Sequence, residues 1–333
     1  MFKCYPLLSE LDSGVEKLPD LAIPQKRLAQ VGASWITVCN TVAELSLIDN
    51  RDVFMLNFRL IDPLIELALT EDIGIGDITT EATVPPSQRG IGTITAKNSG
   101  VIAGIPVAHR VFEKVDPSLD FRGRVSDGER VESMTPIAEV EGVVQSILIG
   151  ERIALNFLQR LSGTTTLTAQ FVAAAAQYDA KIVDTRKTTA GWRTLQKYAV
   201  RVGGGYNHRF GLYDGVLIKD NHIIAAGGVR PAIEQARAKV AHTVKIEVEV
   251  ETLDDVDEAL AAGADIILLD NMSIELMRAA VQEIGQEVLT EASGGITLDQ
   301  VEAVAATGVN LISVGALTHS AMPLDISLDL ELI

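Results

Sequence analysis

Residues 244–270 read VKIEVEVETLDDVDEALAAGADIILLD. A β-branched apolar run, VKIEVEV, gives way to an amphipathic stretch closed by glycine, LDDVDEALAAG, and a second apolar run, ADIILLD, follows. The pattern is strand, helix, strand. It extends in both directions: KIVDT (181–185) and GVLIK (215–219) precede it, while EVLTEAS (287–293) and NLISVG (310–315) follow. The helical stretches SIELMRAAVQEIG and TLDQVEAVAATG lie between the later strands, each closed by glycine. Apolar strands of this kind suit a parallel sheet covered on both faces. Right-handed crossovers then leave two architectures, an α/β barrel or a doubly wound sheet. No dinucleotide GxGxxG follows the first strand, which favours the barrel.

Upstream the rhythm differs. An amphipathic stretch, LIDPLIELALTEDI, occupies residues 60–73. From Gly90 to Gly142 the signals are short strands and turns: IGTITAK alternates, NSG turns and VIAG returns, which predicts a hairpin. LDFRGRV, SDGERV and TPIAEVEG continue in that style, with one helix at IPVAHRVFEKV. Two long helical patterns, VQSILIGERIALNFLQRLSG and TLTAQFVAAAAQY, then lead to the first barrel strand. The expected organisation is a small mixed domain with its linking helices over residues 55–164 and a barrel domain over 165–333. Residues 1–54 lack a clear period and carry Pro6, Pro19 and Pro24, so they read as an extension. Met55 stands just before the first amphipathic stretch, as an alternative initiator.

Barrel enzymes place their chemistry at the C-terminal ends of the strands. Here each strand ends in residues that are awkward to bury. The first ends in Asp184 to Lys187, the second in Lys219 with Asp220 and Asn221, and the third carries Glu247, Glu249 and Glu251. The others end in Asp270 with Asn271, in Ser293 to Gly295, and at Gly315. Any single one is explained as well by a solvated cap or a structural ion pair. In a barrel, however, inward positions meet other strands and not bulk water. All these ends falling on one rim point to a site.

The stretch from Asp184 to His222 adds Arg186, Lys187, Arg193, Lys197, Arg201, Arg209 and Lys219, seven of the chain's 28 basic residues. Its triple glycine, 203–205, reads as a helix C-cap and turn or as part of the site. SGG at 293–295 and VGA at 314–316 close the last two strands, where barrels commonly bind phosphate through backbone N–H groups. His208 and His222 have no HxxxH or HExxH partner, so a zinc site is poorly supported. No GxSxG elbow marks a serine hydrolase. Glu249 and Asp270 suit Mg²⁺ bridging to substrate phosphates. The cluster reads as a receptor for a substrate pair rich in negative charge, one of them a phosphorylated sugar. A barrel aldolase using Lys219 as a Schiff base and a non-enzymatic anion-binding module are the alternatives.

The 333 residues carry a net charge of −17, with a hydrophobic share of 47% and a charged share of 22%. That acidity argues against a nucleic-acid surface and against docking on anionic membranes. It leaves room for a local basic pocket. No run approaches the ~20 apolar residues of a membrane span. The N-terminus lacks the h-region and cleavage site of a secretory signal. The two cysteines, Cys4 and Cys39, exclude a disulfide framework and suit a reducing cytoplasm. A cytoplasmic location is therefore expected.

In order along the chain, DTRKTT, GGGYNHR, LIKDNH, EVEVET, ILLDN, EASGGI and SVGALTHS resemble the motifs of the quinolinate phosphoribosyltransferases, the carboxylating nicotinate-nucleotide pyrophosphorylases. LTEDIGIGDITTEA, ITAKNSGVIAG and GERIALNFLQRLSG extend the resemblance upstream, over residues 56–330 in all. It implies a small N-terminal α/β sandwich followed by an incomplete α/β barrel of six parallel strands. It also implies a homodimer, or a hexamer of such dimers, with each site shared between subunits. The implied reaction joins quinolinate to phosphoribosyl pyrophosphate, giving nicotinate mononucleotide, pyrophosphate and CO₂ for NAD synthesis.

By motif position, the resemblance assigns Arg186, His208, Arg209 and Lys219, with Thr185 alongside, to the quinolinate carboxylates. Arg152 in GERIALN resembles the arginine that the neighbouring subunit contributes. Lys187, Glu249 and Asp270 look like the catalytic set on the phosphoribosyl pyrophosphate side, with Glu249 and Asp270 as Mg²⁺ ligands. Ser293, Gly294 and Gly295, and Val314, Gly315 and Ala316, resemble the loops that receive the 5′-phosphate, with His319 close by. One departure stands out: the family usually has proline after DTRKTT, and this chain has Ala190. That loosens a turn but removes no charge. A relative acting on nicotinate would share most of the pattern.

Overall fold

The computed structural model describes residues 56–333, together with the backbone of two antiparallel strands, β1 (Arg27–Val31) and β2 (Ser34–Val38). The rest of the expected extension, and Met55, lie outside the described residues. The chain divides into two units, Met1–Val53 and Phe54–Ile333. All candidate residues fall in the second.

That unit opens with α1 (Phe58–Ile73) and α2 (Ile78–Thr83). Asn57 and Asp77 cap them by accepting the N–H groups of Arg59 and Thr80. Next come β3 (Arg89–Ala96), β4 (Gly100–Val101), α3 (Ile105–Val115), β5 (Asp120–Gly123), β6 (Arg130–Val131) and β7 (Thr135–Val143). Strand β7 pairs with both β3 and β5 in antiparallel fashion, and β4 pairs with β6. The hairpin expected from IGTITAK and VIAG is therefore absent. Residues 101–103 are held elsewhere: the Val101 N–H donates to Thr166 Oγ1 (2.9 Å) and the Ala103 N–H to Ser162 Oγ (3.0 Å).

Both of those acceptors sit on α4 (Val144–Ala175), which fuses the two helical patterns of the sequence into 32 continuous residues. Gly163 does not break it. A Cβ at Gly163 would lie 2.1 Å from the Met322 carbonyl oxygen, so the glycine marks a close approach of two backbone segments. Ile147, Phe157, Leu158 and Leu161 of α4 pack in the sandwich core, and Phe171 and Ala175 pack in the barrel core. Each large apolar side chain buried this way contributes about 1.5–3 kcal/mol. The boundary expected at 164/165 falls inside this helix, which belongs to both cores.

The barrel follows as β8 (Lys181–Val183), α5 (Arg193–Val202), β9 (Val216–Ile218), α6 (Asp220–Ala226), α7 (Val229–Arg237), β10 (Ile246–Val250) and α8 (Leu253–Ala261). It continues through β11 (Ile266–Asp270), α9 (Ile274–Ile284), β12 (Leu289–Ser293), α10 (Val301–Ala305), β13 (Leu311–Ser313) and α11 (Ala316–His319). Thr252 and Ser273 cap α8 and α9, and Gly263 and Gly285, at φ +77° and +69°, end those helical units. The six strands are parallel, in the order β8-β13-β12-β11-β10-β9. Strands β8 and β9 are consecutive in the chain but do not pair, so the barrel is incomplete, as expected. The segment between them, 184–215, carries most of the basic cluster.

The last strand, β14 (Ile326–Leu332), leaves the barrel and pairs with β3 from Ile326↔Ala96 to Leu332↔Gly90. With β7 on the other side, it occupies the second edge of β3 and leaves none for the expected hairpin. The end of the 165–333 span thus completes the four-stranded sheet β14-β3-β7-β5 of the sandwich.

Candidate active site

The C-terminal ends of the barrel strands surround a cavity of about 500 Å³. Thr185, Arg186 and Lys187 line it after β8, Lys219 after β9, and His208 and Arg209 from the segment between. Glu249 of β10, Asp270 of β11, and Ser293, Gly294 and Gly295 at the end of β12 complete that wall. Val314, Gly315, Ala316 and His319 do not line it. They border it, since a Cβ on Gly315 would lie 3.1 Å from both His319 Nε2 and Lys187 Cδ. Arg152 is exposed on α4 and lies outside the cavity. A larger hollow of about 750 Å³ opens at the other ends of the strands, around Asp179, Gly285 and Gly308, and contains none of the candidates.

Two guanidiniums meet in this cavity. The Nε atoms of Arg186 and Arg209 are both buried and, among the described residues, have no hydrogen-bond partner. Arg209 donates to the Gly215 carbonyl (3.0 Å). Burial, and then the charge of Arg186, lower the Arg209 pKa, so the two like charges crowd each other. Lys219 forms an ion pair with Glu249, with the lysine half-exposed and the glutamate largely buried.

Lys197, Arg193 and Arg201 of the cluster do not line the cavity, which corrects the reading of the whole stretch as a receptor. Lys197 is fully buried against Asp184, itself fully buried. Lys197 also donates to the His208 carbonyl (3.0 Å), and Asp184 accepts the His208 N–H (2.9 Å). With its amide nitrogen turned inward, Asn207 donates to the other Asp184 oxygen (2.7 Å). Burial pushes Asp184 up to about 6 and Lys197 down, each opposed by the partner's charge. Arg193 donates to Arg186 O (3.3 Å), Thr188 Oγ1 (3.0 Å) and Phe210 O (3.1 Å), and so ties together the two loops that carry the cavity's arginines. Arg201 donates to Gly205 O (2.8 Å) and lies over the Tyr206 ring. The triple glycine is the helix end: Gly203 caps α5 and Gly204 takes φ +88°.

The turn around Ala190 is anchored from α5 as well. Gln196 accepts the Thr189 N–H (2.8 Å) and donates to Thr318 O (2.6 Å). Thr318 in turn donates to Lys187 O (2.8 Å), while Trp192 stacks on Phe157 at 4.8 Å. These contacts constrain the loop where the family uses proline.

On the opposite wall, Asn271 sits at φ +53° and its amide donates to Asp270 Oδ2 (2.7 Å). Gly294 is packed against it, because a Cβ there would come 2.3 Å from Asn271 Oδ1. Gly294 and Gly295 have φ +105° and +61°, the left-handed geometry from which short anion-binding turns are built. Deeper, His208 Nε2 lies 3.0 Å from Glu247 Oε2 and 3.7 Å from Glu291 Oε2. Burial opposes the imidazolium, the two glutamates favour it, and the balance raises the His208 pKa.

Sequence reasoning passed over Glu291 and Gln196 as site components, and counted Arg193 in the receptor cluster where it ties the loops instead. Glu291 was legible in one respect: it stands two residues before Ser293 in EVLTEAS, hence on the same inward face.

A barrel rim with arginines and lysines on one side, carboxylates on the other and a glycine turn between them marks an enzyme for anionic, phosphorylated substrates. Comparison with known proteins narrows the class. The quinolinate phosphoribosyl transferase N-terminal domain matches residues 77–162, and the C-terminal domain of the same family matches 164–329. The chain belongs to the quinolinate phosphoribosyltransferase family. It is 45% identical over 277 residues to the probable nicotinate-nucleotide pyrophosphorylase [carboxylating] of Bacillus subtilis (strain 168), covering 83% of this chain and 96% of that one. It is 42% identical to quinolinate phosphoribosyltransferase [decarboxylating] 1b of Nicotiana tabacum, covering 80% and 81%. The crystal structure of NadC from Streptococcus pyogenes superposes with a TM-score of 0.81 at 43% identity, covering 84% of this chain and 99% of that one.

Proposed function

We propose that this chain transfers the phosphoribosyl group of phosphoribosyl pyrophosphate to quinolinate with decarboxylation, giving nicotinate mononucleotide, pyrophosphate and CO₂ in NAD biosynthesis. The observation that carries the reading is the pair of buried, unpartnered Nε groups of Arg186 and Arg209 in one cavity. Quinolinate bears two neighbouring carboxylates, and two guanidinium forks are matched to such a dianion. Lys219 and Thr185 add donors on the same side, and His208 stands at the floor. Holding the ring this way presents its nitrogen to the ribose and removes much of the entropic cost of the encounter.

Mg²⁺ fits the wall of Glu249 and Asp270, because both offer only oxygen donors and line the same cavity, and Glu249 would exchange its Lys219 contact for the ion. They would hold the ion, which when bound neutralises charge on the departing pyrophosphate. Lys187 would contact the same phosphates. The N–H groups around Gly294 and Gly295 would take the 5′-phosphate. The Val314 N–H is bonded to Val183 O (3.0 Å), so donation from the second loop falls to Gly315 and Ala316, with His319 beside them.

The same reading makes the protein a cytoplasmic homodimer, or a hexamer of dimers, in which Arg152 enters the partner's carboxylate pocket. Its exposure, outside its own chain's cavity, supports a role in trans. Among the described residues, no helix is long and apolar enough to cross a membrane.

The decisive assay follows labelled CO₂ from carboxyl-labelled quinolinate with phosphoribosyl pyrophosphate and Mg²⁺. Absence of both CO₂ and pyrophosphate would refute the proposal. For the shared site, differently tagged Arg152→Ala and Arg209→Ala chains are co-expressed and the doubly purified heterodimer is assayed. Each parent homodimer should be nearly inactive. The heterodimer places both lesions in one site and should recover about half the wild-type rate. A heterodimer as inactive as its parents excludes action in trans.

A further inference from the structure

Beneath the cations lies a group of side chains that carboxylate binding does not explain. Glu247 of β10 and Glu291 of β12 are 4% and 1% exposed. Among the described residues each has its Oε1 buried without a hydrogen-bond partner, and the other oxygens face His208 Nε2. Glu291 also lines the cavity that holds Arg186, Arg209 and Lys219.

The ligating atoms of His208, Glu247 and Glu291 lie within 4.8 Å of one another, close enough for a metal ion. The ring argues for a proton instead. His208 Nδ1 accepts the Arg209 N–H (2.7 Å), so the neutral ring carries its hydrogen on Nε2. A metal on Nε2 would need that lone pair and would drive the hydrogen to Nδ1, against the Arg209 N–H. The ring therefore offers the cluster a donor and not a ligand.

One N–H serves two buried carboxyl groups, and Glu247 is the nearer. A buried carboxylate without a close partner is far costlier than the carboxylic acid. Burial, and then the charge of Glu247, push Glu291 up to about 7. The groups that face it are Glu247 from β10, His208, Ser313 from β13 and Lys219 from the end of β9.

We propose that Glu291 supplies the proton that replaces the departing carboxylate on the pyridine ring. The inference rests on the quinolinate reading above. After phosphoribosyl transfer the ring nitrogen is quaternary, and the 2-carboxylate is bonded to the adjacent carbon. The carbon–carboxylate bond breaks, CO₂ leaves and the electron pair stays on C2, next to the positive nitrogen. The Glu291 O–H proton moves to C2 in the same transition state, forming the new C–H bond as CO₂ departs and leaving Glu291 as a carboxylate. Solvent reprotonates it after product release. An arriving dianion favours the protonated acid further, so quinolinate binding draws a proton from the buffer.

Single-turnover quenching with carboxyl-labelled quinolinate, phosphoribosyl pyrophosphate and Mg²⁺ separates the steps. In Glu291→Gln, pyrophosphate formation should slow far less than CO₂ release. CO₂ release should slow by about 100-fold or more, the usual contribution of a general acid, and the undecarboxylated mononucleotide should accumulate. Glu291→Asp should restore part of the CO₂ rate. Calorimetry of quinolinate binding in buffers of different ionisation enthalpy should show proton uptake by the wild type and none by Glu291→Gln. The wild-type arm needs no variant to fold. Pyrophosphate and CO₂ remaining in step in Glu291→Gln, or no proton uptake by the wild type, overturns the proposal. A wild type that makes neither product refutes instead the reading on which it rests.

Discussion

Lys197→Met removes a cation that no substrate touches, and its effect should depend steeply on pH. Both members of the Lys197–Asp184 pair are fully buried, and together they hold the N–H and carbonyl of His208. Breaking such a pair costs about 3–5 kcal/mol, mostly because the remaining charge is stranded. In a chain of this size each kcal/mol moves the melting temperature by about 2–4 °C, so a fall on the order of 10 °C is expected at pH 8. The sign follows from Asp184. Burial already raises it to about 6 with Lys197 in place, and losing the cation raises it further. A carboxyl whose folded pKa exceeds its unfolded value contributes stability that is present below the unfolded pKa and lost as pH rises through the folded one. The variant should therefore be close to wild type near pH 5 and fall away above pH 6. Thermal unfolding at pH 5 and pH 8 measures this, and Asp184→Asn combined with Lys197→Met should recover most of the loss. An equal deficit at both pH values, or one below about 1 kcal/mol at pH 8, would mean that the ion pair is not what holds the loop.

Arg209→Ala should lower kcat/KM for quinolinate by about 2–4 kcal/mol and change phosphoribosyl pyrophosphate binding much less. Equal losses for both substrates in steady-state kinetics would contradict the division of the cavity. Gly294→Ala introduces a Cβ 2.3 Å from Asn271 Oδ1 at φ +105°. It should raise the KM for phosphoribosyl pyrophosphate by about tenfold or more through the displaced Asp270 wall, and an unchanged KM would speak against that coupling. A chain begun at Met55 should fold and turn over, since every matched motif lies downstream, and an insoluble product beside an active full-length protein would disprove it.

The barrel was legible because its signal is local. β-branched runs, capped helices and closing glycines recur, and TLDDVDEALAAG carries in its own sequence both the Thr252 cap and the Gly263 stop. The sandwich was less legible because its pairing is not local. IGTITAK alternates correctly, but its partners are β7 and the chain's final strand, and no short-range signal distinguishes those from the adjacent VIAG. The rim followed from strand ends alone. The functions of individual charges did not. Lys197 and Lys187 look equivalent in DTRKTTAGWRTLQK, yet one is buried in an ion pair and the other lines the cavity. Only burial separates them. The assignment of Arg152 came from resemblance alone, since a helical arginine far from the rim carries no chemical signal of its own.

The open seam explains why an acidic protein spends so many cations on one segment. In a closed barrel β8 would pair along β9, and ladder hydrogen bonds would fix the loops at their ends. Here Tyr206 borrows the edge of β8, donating to Ile182 O (2.8 Å) and accepting the Asp184 N–H (3.0 Å). That bridge is one residue long. Apart from that bridge, and among the described residues, the loops on either side of α5 between Arg186 and Gly215 have no strand pairing, although they hold two guanidiniums in one cavity against their repulsion. The clamp comes from one face of α5, where Arg193 and Lys197 stand one turn apart with Gln196 beside them. Arg193 fastens the Arg186 and Phe210 carbonyls, Gln196 fastens Thr189, and Lys197 fastens His208 through Asp184. The basic cluster is thus two layers. The inner layer replaces missing strand pairing with charge-assisted hydrogen bonds, and this lets the Nε groups of Arg186 and Arg209 in the outer layer stay available for a dianion.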